Sequence, residues 1–195
     1  MLNKKGAMFG LDARIALAIF GALSVISGAA LYTAIQEAKV TRTLTQLTEV
    51  EKAVESFLLD TGHLPGISGA MYNVHELYED TGDTGWSGPY LSLDYDKVNR
   101  NIIYKGLSSS GDGRIEKYES DTWGVDTDGT AGGDLACDAG DKCSVWIGIY
   151  NVDRSIAEAV DLKVDGVADF KNGRIRLYES DSTPHLWLRS LNADL

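Results

Sequence analysis

Along the N-terminal third of the chain the hydrophobic pattern changes once while the helical period does not. From Ile15 to Ile35, 21 consecutive residues carry no charge, so a helix there is apolar on every side. Val40, Leu44, Leu47, Val50, Val54, Phe57 and Leu58 then recur mostly in steps of three and four. That spacing draws one stripe, with Lys39, Arg42, Glu49, Glu51, Lys52 and Glu55 on the flanks. No proline interrupts before Pro65, and Gly62 supplies a stop. The pattern predicts one helix from about Phe9 to Asp60, ~75–80 Å long at 1.5 Å per residue. Gly21 and Gly28 are its weak points. A charge-free run of ~20 residues matches the hydrocarbon core of a bilayer. Lipid therefore suits the first half, and a sheet laid along one face suits the second.

After Gly62 the pattern breaks into turns. Asn73, with Glu76 three residues on, predicts a short capped helix through about Asp80. The stretch Gly85 to Leu91 sets Trp86, Pro89 and Tyr90 in a glycine-flanked turn, a means of pinning a loop onto a core. β-rich runs predict strands at Ile102–Gly106, Arg114–Tyr118, Val145–Val152, Arg174–Glu179 and His185–Arg189. Asp153 opens a second short helix through about Asp161. The fold class is α+β, a long N-terminal helix packed on a small antiparallel sheet.

Composition narrows the possibilities. The 195 residues suit one domain with an appendage. A formal charge of -11 repels phosphate backbones, so nucleic acid is not expected as a direct partner. Lys4 and Lys5 precede the apolar run and mark its cytoplasmic side, which sends the acidic remainder across the membrane. A cleaved signal peptide ending at Ser27-Gly28-Ala29 is the competing reading. It fits less well, because its apolar region is ordinarily only ~7–15 residues and no helix follows it. Cys137 and Cys143 enclose five residues, with no histidine near enough in sequence for a zinc site. In an oxidising compartment they form a small disulfide loop, and in the cytosol they would be free thiols. Residues 112 to 141 hold nine acids against Arg114 and Lys117. Asp126, Asp128, Asp134, Asp138 and Asp141 offer the hard oxygen donors that Ca²⁺ needs, between glycines that permit tight turns. A solvated acidic loop closed by the cysteines is the alternative. No nucleophile elbow, phosphate-binding glycine loop or metal–histidine motif is present, and no catalysis is expected.

The leader Lys4-Lys5-Gly6-Ala7, followed by Met8-Phe9, Leu11, Asp12 and a long apolar helix, resembles the N-terminus of type IV pilins and pseudopilins. The resemblance implies that a prepilin peptidase/methyltransferase cuts between Ala7 and Met8. Residues 1–7 are then a leader, 8–35 a membrane and filament-core helix, 36–61 its amphipathic continuation, and 62–195 a pilin-like α+β head. In the family the residue before the cut is usually Gly and the acid usually Glu; here they are Ala7 and Asp12. Cutting after Gly6 restores the glycine but moves the acid from fifth to sixth place. The cut at Ala7 exposes an ammonium at Met8 in a place with little water. A charge at the centre of a membrane helix costs ~2.5–3.5 kcal/mol or more, relieved when Asp12 of one subunit meets the Met8 amine of its neighbour. The plainer reading makes Asp12 and Arg14 the cytoplasmic edge of an anchor.

Further along, Phe57, Asp60, Gly62 and Pro65, then Trp86, Gly88, Pro89, Tyr90 and Leu91, resemble the "D-x-G-x-x-P" and "W-x-GPYL" of the major pseudopilins of type II secretion. Asp128, Gly129, Gly132 and Gly133 resemble their calcium loop, and "DTWG" resembles their "DPWG" with Thr122 in place of proline. The run "AVDLKVDGVADFKNGRIRLYE" is similar to a C-terminal segment of many bacterial pilin-like proteins. The two cysteines resemble instead the disulfide loop of many type IV pilins. The family implies a structural subunit of a homopolymeric filament, built from the inner membrane by an assembly platform and an ATPase. Its head would face the periplasm before assembly and the filament surface afterwards, serving secretion or surface attachment. No cofactor is required, and Ca²⁺ in the acidic loop is the one candidate. The alternative is a membrane-tethered periplasmic binding domain that does not polymerise.

Overall fold

The sustained helical period is realised as α1, Lys5–Thr61. The structure is a computed structural model that describes residues 5–107, 111–121, 123–125, 131–132, 135–180 and 183–193. Two compact units emerge, Met1–Lys39 and Val40–Leu195, and α1 contributes to both. In the first unit every side chain from Gly10 to Ile35 is exposed.

In the second unit α1 buries Val40, Thr43, Leu47, Val50, Ala53, Val54 and Phe57. Steps of three and four place these side chains on one face of a 3.6-residue helix. Gly62 ends the helix with φ +80°, its N–H donating to Leu58 O at 2.9 Å. Only a residue without Cβ adopts that left-handed turn at no cost.

The strands follow as β1 (Ile67–Ser68), β2 (Met71–Tyr72), β3 (Asp94–Asp96), β4 (Asn101–Ile103), β5 (Asp112–Gly113), β6 (Ile115–Glu119), β7 (Gly124–Val125), β8 (Ala131–Gly132), β9 (Cys143–Ile149), β10 (Ile175–Ser180) and β11 (Thr183–Asn192). A second helix, α2 (Arg154–Asp165), lies between β9 and β10 and closes on a left-handed Gly166. The main sheet has the order β1-β2-β6-β9-β11-β10, every pairing antiparallel. Smaller sheets join β3-β4-β5 and β7-β8.

Strand alternation sorts the sheet into two faces. Ile115, Val145, Ile147, Ile149, Ile175, Leu177, Leu186 and Leu188 share one core with the α1 stripe and with Ile156, Ala157 and Val160 of α2. On the other face Trp146 and Trp187 meet Trp123 from the β6–β7 connection in a second cluster, with Tyr118, Leu135, Tyr150 and Tyr178 against it. Strand β9 is therefore buried along its whole length. Gly148 is the gap in that strand: a Cβ there would lie 2.4 Å from the Trp187 ring.

The short helix expected from Asn73 to about Asp80 is smaller, a 3-10 turn at Val74–Leu77. Asn73 Nδ2 donates to Glu76 Oε1 at 3.1 Å, and Glu76 Oε2 accepts from Gly66 N at 2.7 Å. Glu76 thus ties the incoming loop to the turn and leaves no capping pair to drive a longer helix. Helix α2 starts where Asp153 predicted and runs about one turn past Asp161.

Candidate functional site

Three places carry the residues singled out in the sequence. The first is the apolar part of α1. Among the described residues this is one helix long and apolar enough to cross a membrane. Its large side chains face outward, with Leu17 at 70%, Phe20 at 71% and Val25 at 73% exposure. Full burial of one such side chain gains ~1.5–3 kcal/mol, so the segment as a whole stands tens of kcal/mol from its preferred surroundings. Its polar residues are partly neutralised from within: Ser24 Oγ donates to Phe20 O at 2.8 Å and Thr33 Oγ1 to Ala29 O at 3.1 Å. Hydroxyls bonded back to the preceding turn make no demand on a partner, as hydrocarbon requires. Asp12 lies exposed on this helix. Ala7 and Met8 fall in its first turns, and their side chains lie outside the described residues.

The second place joins two motifs far apart in sequence. Asp60, at the end of α1, accepts from Tyr90 Oη at 2.9 Å and from Ser87 Oγ. Tyr90 Oη in turn accepts from Ser87 N at 2.9 Å. Trp86 Nε1 donates to Glu76 O at 2.9 Å, and Tyr90 N to Leu77 O at 2.8 Å. The Tyr90 ring meets Phe57 and Trp86 edge to face, each at 5.7 Å. Gly85 passes so close that a Cβ there would lie 2.1 Å from Asp60 O. The arrangement locks the Trp-x-Gly-Pro-Tyr-Leu loop across the end of the helix. Both motifs were legible in the sequence; their mutual contact was not.

The third place is the acidic loop between β6 and β9. Asp126, Asp128 and Asp134 lie outside the described residues. Asp138 and Asp141 face each other across a turn, Asp138 N donating to Asp141 Oδ2 at 2.9 Å and Asp141 N to Asp138 O at 3.2 Å. Among the described residues no three acid, histidine or cysteine side chains are grouped to hold a metal ion. Cys137 and Cys143 form a disulfide, with Cα atoms 6.0 Å apart. It fastens the loop to the start of β9, where Ser120 N also donates to Lys142 O at 2.7 Å. Trp123 leaves the loop to fill the second core, its Nε1 donating to Glu119 O at 2.9 Å. Beside it Arg176 is buried over the Trp123 and Trp146 rings at 6.0 and 5.7 Å, its Nη1 donating to Trp123 O at 3.4 Å. Desolvation lowers its pKa.

The histidines are separate. His63 packs edge to face on Phe57 at 5.6 Å, 3.5 Å from Asp83. His75 sits in the 3-10 turn. The His185 ring lies 4.7 Å from that of Tyr150 at a tilt of 57°, and burial lowers its pKa. Sequence reasoning missed the tryptophan cluster, whose members come from three distant segments. It also missed Arg174 Nη2 donating to Glu51 Oε1 at 2.5 Å, 123 residues away.

A family described as type II secretion system protein G matches residues 30–138, more than half of the chain. No curated protein and no solved structure matches it.

Proposed function

Because this chain belongs to the type II secretion system protein G family, we propose that it is a pseudopilin subunit that polymerises from the inner membrane into a filament. The observation that carries the reading is the wholly exposed, charge-free run from Ile15 to Ile35. Lipid covers that surface before assembly, and the same segment of other copies covers it afterwards. Lys4 and Lys5 hold the N-terminus on the cytoplasmic side and leave the acidic head in the periplasm. Removal of residues 1–7 by a prepilin peptidase/methyltransferase makes Met8 the first residue. Its ammonium meets Asp12 of the adjoining subunit, so that neither charge stays alone in an apolar bundle. An inner-membrane platform and an ATPase supply the work of extraction. The role is structural rather than catalytic.

The disulfide at Cys137 and Cys143 favours a surface pilin, and the matched family favours secretion. The acidic loop takes Ca²⁺ on this reading, through a set drawn from Asp126, Asp128, Asp134, Asp138 and Asp141, because their side chains supply the hard oxygen donors that ion needs. Calcium added to the chelated protein should raise its Tm, and an unchanged Tm would remove the ion from the account.

The deciding experiment is the mass of the mature N-terminus together with Asp12→Ala. The expected results are a chain beginning at Met8, and a stable membrane-bound variant that forms no filament. An intact Met1, a cut near Ala29, or filaments of normal yield from Asp12→Ala would each refute the proposal.

A further inference from the structure

The turn linking α2 to β10 is built on one buried and one half-buried carboxylate that the filament role does not use. Asp161 is 0% exposed, although it is an acid on an amphipathic helix. Its Oδ2 accepts from Phe170 N at 3.0 Å, and its Oδ1 is buried without a partner. Asp165, one helical turn on, accepts from both Arg174 N and Ile175 N at 2.8 Å through Oδ2. Four residues apart on α2, the two side chains lie on one face of the helix. Gly173 makes room for this: its φ is +84°, and a Cβ there would fall 2.3 Å from Asp165 Oδ2.

We propose that Asp161 and Asp165 share one proton in the folded head, an acid–carboxylate hydrogen bond that fastens the 166–173 turn onto α2. As two carboxylates they can only repel, and the buried Oδ1 stays unsatisfied. A proton on Asp161 removes both faults at once, its O–H donating to Asp165. Two backbone N–H groups already meet Asp165 and one meets Asp161, so Asp161 is where the proton sits. On release the proton passes to water and leaves two facing anions.

The charged groups bearing on Asp161 are Asp165 from α2, Asp169 from the turn and Arg176 from β10. Burial is the leading cause of an Asp161 pKa pushed up to about 6, and Asp165 and Asp169 raise it further. The bond therefore titrates at about pH 6. The turn it governs holds Phe170, a bulky residue at φ +60°, in the left-handed region that side chains avoid. The Asp161 bond to Phe170 N is what keeps it there, with the ring buried under the Arg154 guanidinium at 5.6 Å.

The sign follows from linkage. An acid with a raised folded pKa holds its proton more tightly in the native state than in the unfolded one. Its stabilisation is whole below about pH 4 and is lost as pH rises through about 6. The full chain in detergent micelles should lose roughly 5 °C of Tm between about pH 4 and about pH 7.5 from this site. Asp161→Asn keeps the Phe170 bond and offers a permanent N–H to Asp165. It should remove that part of the slope and melt above the wild type at the higher pH. Glu116, whose pKa is also raised by burial, and His185 titrate in both proteins and cancel in the comparison. A slope in Asp161→Asn equal to that of the wild type would overturn the proposal. Should that variant not fold, infrared spectroscopy of the wild type decides: no protonated-carboxyl band at about pH 5 overturns it. A band that persists unchanged in Asp165→Asn overturns it as well.

Discussion

Tyr90→Phe removes one oxygen from the lock at the end of α1 and leaves its ring in place. That oxygen donates to Asp60 Oδ2 and accepts from Ser87 N, both at 2.9 Å. The edge-to-face contacts with Phe57 and Trp86 at 5.7 Å survive the change. A hydrogen bond to a charged group is worth ~1.5–3 kcal/mol when well shielded. Asp60 and Ser87 are exposed, so the expected loss is smaller, ~1 kcal/mol. Asp60→Ala deletes the same contact and the one from Ser87 Oγ, at ~1–2 kcal/mol. If Asp60 and Tyr90 act through each other, the double variant costs less than the sum by ~1 kcal/mol. For a head of this size that shortfall is about 2–4 °C in Tm. Thermal unfolding of the four proteins, followed by tryptophan fluorescence, closes the cycle. Costs that add to within ~0.3 kcal/mol would show that the lock holds through its rings alone and refute the reasoning.

Three further outcomes follow from the same contacts. Gly148→Val drives a methyl-bearing carbon into the Trp187 ring and should lower stability by ~1–3 kcal/mol or more, with a changed tryptophan emission spectrum; an unshifted Tm would contradict the close approach. Serine at both Cys137 and Cys143 releases a short loop from β9 and should cost about 2 kcal/mol, and reductant should then no longer affect the melting curve. Phe57→Ala empties a fully buried site between α1 and the loop lock and should cost ~3–5 kcal/mol in denaturant unfolding.

The features readable from sequence are those whose signal is local. An uncharged run long enough for a bilayer and a 3.6-residue stripe each occupy one stretch of chain, so Ile15–Ile35 and the Val40–Phe57 face could be read in order. The five longer β-rich runs became β4, β6, β9, β10 and β11 with shifts at their ends. Strands β1, β2, β3, β5, β7 and β8, of two or three residues each, are too short to carry a period, and hydrogen bonds to neighbours create them. Strand β9 hid its topology in another way: buried on both faces, it shows no alternation of polar and apolar residues to mark which face meets α1. Nothing in the sequence around Asp161 marks it as buried, because burial is a property of what folds over a residue.

The sequence by itself determined that a charge-free helix leads into an amphipathic one, that an acidic α+β head follows, and that the two cysteines stand close enough to pair. It also named the motif at Asp60–Pro65 and the one at Trp86–Leu91. Only the tertiary structure decided that Tyr90 reaches Asp60, that three tryptophans from separate segments meet behind the sheet, and that Asp161 is shut away beside Asp165. Covalent neighbours and periodic spacing act over a few residues and survive in the unfolded chain. Contacts across tens of residues exist only once the backbone has closed, and no residue carries its future partner in its own chemistry.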